Sequence, residues 1–324
     1  MDALLHAVKA ASDPTRLRIL VVLASSELSV GQICTVLGQS QPRVSRHLKI
    51  LADAGLLDRH AEGTSAYYRR ARSGLGRQVY DALVELIDTA DSVIEADTER
   101  LTTVRAERAQ RAAEYFEEVA GSWDELRERH VADWYVEQAM MRAVADLEIA
   151  DLLDIGTGTG RMLELFAGRI QRGLGIDASQ KMLTVARSRL SGSGIVNCAV
   201  RPADAHDLGV GREAFDVALI HHVLHFLDEP ARAVAQAADA LRPGGRLLIV
   251  DFAPHQLEAL RIDHAHVWLG FDDHELSSWC SDSGLDQRET LHLVPTEAQG
   301  TEALTVTLFV AERPGEHTID ELAL

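Results

Sequence analysis

Three glycines at alternate positions follow a short apolar run near the middle of the chain. The string is DLLDIGTGTGRMLEL, residues 151–165, and the apolar run in it ends at Asp154 and Ile155. A strand, a glycine-rich turn and a helical pattern in this order are typical of a nucleotide-like ligand, because bare backbone can approach such a ligand closely. Taken alone, the pattern allows NAD, FAD, ATP or S-adenosylmethionine.

Two features of the loop bear on this choice. No Gly-Lys-Ser/Thr follows, so the phosphate-binding pattern of P-loop enzymes is absent. Arg161 and Leu163 stand where a dinucleotide fingerprint would place its third glycine. An adenosyl sulfonium ligand has no phosphate and needs glycines only where its amino-acid and ribose parts contact the backbone. The loop is therefore compatible with S-adenosylmethionine.

Acids and histidines follow the other predicted strands. Asp177 ends GLGID, where a carboxylate can accept hydrogen bonds from both hydroxyls of a ribose. Asp204 and Ala205 follow the third strand, where an acid and a backbone amide could contact an adenine amino group. Histidines suited to general-base chemistry crowd the later strand ends, with His221 and His222 as weak catalytic candidates. No metal is predicted there, because no carboxylate or cysteine converges on them by motif. The other histidines of this group are His225, His255, His264 and His266.

These residues need a parallel sheet to position them. After Asp151 the apolar patterns alternate between strand and helix, which predicts an α/β doubly wound, Rossmann-like sheet with helices on both faces. LHLV (291–294) and LTVTLFVAE (304–312) predict a C-terminal antiparallel hairpin.

Five ordered strings carry a resemblance: LLDIGTGTG, GIDASQKML, RPADAHDL, FDVALIHHVLHFLDEP and LRPGGRLLIVDF. Over roughly 145–255 the chain resembles the class I methyltransferases, and most of all those of ubiquinone and menaquinone biosynthesis. The resemblance implies S-adenosyl-L-methionine or S-adenosyl-L-homocysteine as the cofactor. YFEEVAGSWDELRERH (115–130) is similar to the segment that such enzymes fold over the cofactor. The implied pocket residues are Tyr115, Arg127, Asp154, Gly156, Thr157, Gly158, Gly160, Asp177, Ala178, Met182, Asp204, Ala205 and His221.

A second kind of pattern lies upstream. SVGQICTVL (29–37) predicts a short helix that begins after Ser29 as N-cap, and Ser40 is expected to cap a second helix over 41–54. Val44, Leu48 and Leu51 form the apolar face of that second helix. LLDRH and SAYYRR flank AEGT and predict a hairpin with Gly63 in the turn. Helix, turn, helix and hairpin together indicate an N-terminal α+β winged helix-turn-helix.

The strings DPTRLRIL and ELSVGQICTVLGQSQPRVSRHLKILADAGLLDRHAEGTSAYY resemble ArsR-type bacterial repressors over about the first 95 residues. Metal-sensing members carry cysteines where this chain has Ser29 and Gly31, and Cys34 alone is not a metal site. Metal sensing is therefore not expected at this helix. The resemblance implies double-stranded DNA with an inverted-repeat operator as the partner. The implied DNA-binding residues are Ser40, Gln41, Arg43, Ser45, Arg46, His47 and Arg59.

The segment from Leu75 to Val119 contains no proline and repeats apolar residues at helical steps, which predicts one or two long helices. Relatives of the ArsR type dimerise through such a helix, so a homodimer through the 76–97 helix is expected. The charge-rich stretch 95–111 predicts a solvated helical linker. The predicted domains are 1–75, which binds DNA, 76–112, which forms the dimerisation helix and linker, and 113–324, which binds the ligand.

Charge and composition agree with this division. The chain has a net charge of −18, but residues 1–75 contain ten Lys and Arg against six Asp and Glu. Contacts with phosphates need such local positive charge rather than a basic whole. No apolar run reaches the roughly 18 residues of a membrane helix, no signal peptide is seen, and three scattered cysteines fit a reducing compartment. A cytoplasmic protein without a membrane partner is expected.

Two functions follow from the combined patterns. The first is a DNA-binding transcriptional regulator whose methyltransferase-fold domain binds S-adenosylhomocysteine or S-adenosylmethionine and modulates operator binding. The alternative is an active methyltransferase of an unknown small molecule with a self-regulatory DNA-binding domain.

Overall fold

The structure is a computed structural model that describes residues 1–24, 26–62, 65–71, 73–120, 133–294 and 304–315. It divides into two compact units, Met1–Arg111 and Ala112–Leu324.

Four short helices begin the first unit, and local signals set their ends. The Asp13 carboxylate accepts a hydrogen bond from the Arg16 N–H and begins the second helix. Ser29 and Gln32 form a capping box, which confirms the predicted N-cap of the third helix. Gly38 ends that helix with φ +64°, a conformation that glycine adopts without strain. The helices are α1 (Asp2–Ala11), α2 (Pro14–Val22), α3 (Val30–Leu37) and α4 (Gln41–Asp53).

Ser40 lies at the predicted N-cap of α4, but its side chain makes no cap hydrogen bond. Pro42 is the second residue of the helix and has no N–H, while the Arg43 N–H donates to the Ser40 carbonyl at 3.1 Å. The expectation of a side-chain cap at Ser40 is therefore wrong. The predicted apolar face of α4 is confirmed, since Val44, Leu48 and Leu51 are fully buried.

An antiparallel hairpin follows α4, as predicted. It consists of β2 (Leu57–Glu62) and β3 (Ser65–Arg70), and β3 also pairs with β1 (Leu28–Ser29). The predicted turn residue Gly63 lies outside the described residues.

The expectation of one or two long helices over 75–119 is confirmed as two, so the 76–97 segment is not a single helix. The chain forms α5 (Gly74–Glu85) and α6 (Ser92–Val119), which are separated at 86–91. Two short acidic side chains account for the break. The Asp88 carboxylate accepts the Ala90 N–H at 2.9 Å, and Asp91 accepts the Val93 N–H at 2.8 Å, so both compete with helical hydrogen bonding.

The segment 95–111 is helical, as expected, but it is not solvated on every face. Leu101 and Val104 of α6 are buried in the core of the first unit. Asp97 is fully buried and accepts two hydrogen bonds from Arg18, at 2.6 and 2.7 Å, and one from Arg100 at 2.5 Å. Three- and four-residue steps place these side chains on one face of α6. That face is therefore buried, although the sequence of the segment is mostly charged and polar.

The second unit is built on a seven-stranded sheet with the order β6-β5-β4-β7-β8-β10-β9. The first five strands in this order, from β6 through β5, β4 and β7 to β8, are parallel to one another. Strand β10 pairs antiparallel with both β8 and β9. The Rossmann-like sheet and its C-terminal hairpin are therefore confirmed. The strands are β4 (Ile149–Ile155), β5 (Ile170–Asp177), β6 (Cys198–Pro202), β7 (Phe215–His221), β8 (Leu241–Phe252), β9 (Asp286–Leu293) and β10 (Val306–Glu312).

Helices cover both faces of this sheet, because successive strand residues alternate between two apolar cores. In β4, Leu153 and Ile155 face one core and Leu152 faces the other. None of the helices in the described part of the chain has the length and apolar character needed to cross a membrane. The helices of the unit are α7 (Asp133–Ala143), α8 (Arg161–Phe166), α9 (Gln180–Gly192), α10 (Pro230–Ala240), α11 (Ala259–Asp263) and α12 (Asp273–Asp282).

Candidate ligand site and DNA-contacting helix

The glycine loop lies where the strand order of the sheet reverses. From β4 the chain proceeds to β5 and β6 on one side, and β7 and β8 lie on the other. In parallel sheets, ligands bind outside the carboxyl ends of the strands at such a switch point. The loop, residues 156–160, follows the carboxyl end of β4 at that point.

The backbone of this loop requires glycine. Gly156, Gly158 and Gly160 have φ of +70°, +54° and +81°. A Cβ on Gly156 would also lie 2.3 Å from Cγ2 of Val223. Asp154 is buried beneath the loop and accepts a hydrogen bond from Thr157 Oγ1 at 2.5 Å. Asp154 and Thr157 therefore shape the loop from below.

Asp177 joins this loop to the end of β5. Its carboxylate accepts the N–H of Gly158 and the N–H of Ser179, each at 2.8 Å. Burial raises the pKa of the Asp177 carboxyl above its usual range. A half-buried acceptor beside left-handed glycines fits a ligand that presents hydroxyl donors, such as a ribose. Ala178 next to it is exposed, and Met182 is buried in the first turn of α9.

Asp204 follows β6 at the same edge of the sheet. Its carboxylate is largely exposed and accepts the backbone N–H of His206 at 2.8 Å, and His206 Nδ1 lies 2.8 Å from the same oxygen. Ala205 is partly buried against the neighbouring core.

The C-terminal part of α6, from 112 onward, belongs to the second unit. The Tyr115 hydroxyl lies 2.7 Å from His264 Nδ1. Glu117, which sequence reasoning missed, accepts the Ser179 hydroxyl at 3.0 Å, and Lys181 Nζ donates to the Glu117 carbonyl at 2.9 Å. The Ser179 hydroxyl and the Lys181 N–H lower the pKa of Glu117. Tyr115 and Glu117 therefore lie near the carboxyl edge of the sheet, whereas Arg127 lies outside the described residues.

The histidines after β7 meet a carboxylate that sequence reasoning missed. Asp251, near the end of β8, lies 2.7 Å from His225 Nδ1, measured from its Oδ1, and both side chains are buried. The expectation that no carboxylate converges on the histidines is wrong. Because β7 and β8 are parallel neighbours, their carboxyl ends meet. The acid at the end of RLLIVDF was the available signal, as it was for Asp177 in GLGID. His221 and His222 are also buried beside this pair.

In the first unit, α4 presents a polar face to solvent. Gln41, Arg43 and Arg46 are exposed, and Ser45 is partly buried. His47 is directed toward the start of α2, since its Nδ1 lies 3.7 Å from Asp13 Oδ1. Burial lowers the pKa of His47, so its imidazole adds little positive charge at neutral pH. Ser40 before α4 and Arg59 in β2 are exposed.

Two family models match the chain. The model described as "Bacterial regulatory protein, arsR family" matches residues 13–59, and the model described as "Methyltransferase domain" matches residues 153–249. The chain joins an arsR-family segment to a methyltransferase domain. The match to a methyltransferase domain implies S-adenosylmethionine or S-adenosylhomocysteine as the cofactor, as predicted. The geometry of the glycine loop and of Asp177 fits such a ligand.

Two relatives illustrate the similarity of this chain to methyltransferases. The demethylmenaquinone methyltransferase of Clavibacter sepedonicus is 31% identical over 150 residues, which are 45% of this chain and 60% of that protein. The ubiquinone/menaquinone biosynthesis C-methyltransferase UbiE of Vibrio parahaemolyticus is 30% identical over 168 residues, which are 49% and 64%. The chain thus spans less than two thirds of the length of either relative.

A solved structure shows the same fold. A chain in the complex between the Haloferax volcanii Trm112 methyltransferase activator and a methyltransferase superimposes with a TM-score of 0.51 and 20% identity. The superposition covers 61% of this chain and 97% of that chain.

Proposed function

We propose that this protein is a homodimeric, cytoplasmic transcriptional regulator whose methyltransferase domain senses S-adenosylhomocysteine or S-adenosylmethionine. One observation carries the proposal: the same chain contains an arsR-family segment with an exposed basic helix and a formed glycine-loop site. The occupied site modulates the affinity of the protein for its operator.

The DNA-reading role rests on α4. Its N-terminal turns carry Arg43 and Arg46 into solvent, and in helix-turn-helix proteins these turns enter the major groove. The hairpin of β2 and β3 is the wing, and the exposed Arg59 on β2 contacts the DNA backbone or minor groove. Arg46→Ala weakens specific binding by about 1–3 kcal/mol if Arg46 contacts a guanine.

The matched control for this substitution is Lys49→Ala. Lys49 lies on the same helix, but its Nζ is 3.8 Å from the Asp53 carboxylate, which offsets its charge. We expect Lys49→Ala to lower the affinity for specific DNA and the affinity for non-specific DNA slightly and by equal factors. Competition titration measures the ratio of operator affinity to non-specific affinity in each variant. If this ratio falls equally in Arg46→Ala and Lys49→Ala, Arg46 does not contact a base.

The homodimer is supported by apolar side chains that the first unit leaves exposed. Leu4, Leu5 and Val8 lie on α1, which packs against α5, and Leu75 at the start of α5 is also exposed. Exposed apolar patches of this kind mark protein interfaces. A two-fold dimer presents two copies of α4 and therefore needs an inverted-repeat operator.

Coupling between ligand and DNA is proposed to run through α6. This helix supplies Asp97 and Leu101 to the first unit and Tyr115 and Glu117 to the second. A ligand shifts an equilibrium only by its different affinities for the two states. Coupling of this type amounts to about 1–3 kcal/mol, or roughly 5- to 150-fold in DNA affinity.

The test measures operator affinity at increasing concentrations of S-adenosylhomocysteine and, separately, S-adenosylmethionine. We expect a saturable change in operator affinity of roughly 5- to 150-fold. Operator DNA should change the ligand affinity by the same factor, because linkage is reciprocal. Asp177→Asn should leave the affinity of the ligand-free protein for DNA unchanged and abolish the ligand effect. Identical operator affinities with and without saturating ligand would refute the sensor.

The second candidate is a working methyltransferase of a small molecule. The buried polar cluster around His225 and Asp251 favours it, since it lies at the carboxyl edge of the sheet where acceptors bind in such folds. Incubation with a labelled methyl donor and candidate extracts tests it, and label transfer that Asp177→Asn abolishes would support it.

A further inference from the structure

His222, His225 and Asp251 form a compact buried group, the His–His–Asp cluster. One ring nitrogen from each histidine and one carboxylate oxygen all lie within 4.8 Å of one another. The three residues are 6%, 2% and 1% exposed. They come from the carboxyl ends of two neighbouring strands and the short 3₁₀ turn after β7.

Packing alone does not account for this cluster. A buried carboxylate is costly unless it is paired with charge or strong donors. Asp251 accepts the N–H of Phe252 at 2.8 Å and contacts His225. The backbone N–H of His225 also donates to the other carboxylate oxygen of Asp251 at 3.4 Å. Both oxygens of Asp251 therefore have polar partners, and the rings of His222 and His225 lie beside them.

A further imidazole lies against this cluster. The ring of His266 lies on that of His225 with centroids 4.2 Å apart. Nδ1 of His266 is buried and has no hydrogen-bond partner among the residues that the structure describes. A neutral imidazole nitrogen is the form in which histidine binds metals.

The backbone at His222 is strained. His222 has φ +55°, a conformation that a residue with a Cβ rarely adopts, and its N–H donates to the Val250 carbonyl at 2.8 Å. Such strain at a non-glycine residue persists only where the surroundings impose it, and strained residues concentrate at functional sites. Here the strained residue carries one of the three clustered donors.

We propose that the His–His–Asp cluster binds one divalent transition-metal ion of the zinc class. One nitrogen each of His222 and His225 and the carboxylate of Asp251 are its ligands. Two imidazoles and one carboxylate are a recurrent ligand set for zinc, and three protein ligands leave a fourth position for a water or a substrate atom. Metal–ligand distances of about 2.0–2.2 Å require the donors, which lie within 4.8 Å of one another, to close around the ion. The site is separate from Ser29, which caps α3, and from Gly31 within that helix.

The experiment uses the full-length chain after treatment with a chelator and its removal. Zinc is titrated in competition with a chromophoric chelator. We expect one tightly bound zinc per chain, and a loss of about tenfold or more in affinity in His222→Asn and in Asp251→Asn. The matched control is His292→Asn, which removes an exposed histidine whose Nε2 lies 3.1 Å from Asp273 and which is outside the cluster.

The control variant should bind zinc as the wild type does. Zinc binding that is absent from the wild type, or equal in wild type, His222→Asn and Asp251→Asn, would overturn the proposal. If a cluster variant unfolds, X-ray absorption at the zinc edge of the wild-type chain tests the proposal instead. A spectrum with two imidazole ligands on the zinc would support the proposal, and one with no imidazole ligand would overturn it. The measurement involves neither DNA nor methyl transfer, so its failure leaves the proposed function untouched.

Discussion

Replacing Asp177 with asparagine tests the ligand site most directly. The carboxylate holds two backbone N–H groups, those of Gly158 and Ser179, at 2.8 Å. Asparagine keeps the shape but has one acceptor oxygen, so it loses one of these bonds as well as the charge that ligand hydroxyls would contact. A hydrogen bond to a charged group contributes about 1.5–3 kcal/mol. With 1.4 kcal/mol for each factor of ten, S-adenosylhomocysteine should bind about tenfold to 150-fold more weakly.

Asp216→Asn is a matched control at the opposite edge of the same sheet. The Asp216 carboxylate also accepts two backbone N–H groups, those of Ala150 and Asp151, at 2.8 Å each. It lies at the amino end of β7, away from the glycine loop. This variant should lower the stability of the unit and leave ligand affinity unchanged.

Isothermal titration calorimetry at neutral pH measures both affinities, and a pH series adds a second check. Because burial raises the pKa of Asp177, wild-type ligand affinity should fall on the acid side as that carboxyl becomes protonated, at a pH above the ordinary range of aspartate. Asp177→Asn should lack this acid loss. The reasoning fails if Asp177→Asn binds within twofold of the wild type, or if Asp216→Asn loses as much affinity.

Three further substitutions test other parts of the structure. Gly156→Ala should abolish ligand binding in calorimetry, because φ is +70° there and the added Cβ would overlap a neighbour, whereas Gly168→Ala meets nothing within 4 Å and should bind normally. Asp97→Ala should destabilise the first unit by about 1–3 kcal/mol in urea unfolding, since the partly buried Arg18 loses the acceptor of two hydrogen bonds; a change below about 0.5 kcal/mol would contradict this. Arg246→Met should destabilise the second unit at pH 7, because Arg246 lowers the pKa of Asp146 to about 2. The folded pKa lies below the unfolded one, so this ion pair stabilises above about pH 4 and its contribution is lost as the pH falls through about 2; a stability difference that stays constant down to pH 2 would refute the assignment.

Local signals in the sequence determined much of both units. Ser29 and Gly38 fix the ends of α3 because a hydroxyl acceptor and a left-handed glycine act within one turn of the chain. The alternation of strand and helix after Asp151 determined a parallel sheet, and the three glycines determined a left-handed loop at the switch point of that sheet.

Only tertiary structure decided which distant side chains meet. The pairing of β7 with β8 brings Asp251 into contact with His225, which is 26 residues away in the sequence. No spacing along the chain predicts that contact. Likewise, 95–111 appears solvated by composition, but the core of the first unit buries one face of α6, and Arg18 supplies the charge that makes a buried Asp97 tolerable. Propensity and capping act over a few residues, whereas burial and charge pairing depend on which elements become neighbours, and that is a property of the whole fold.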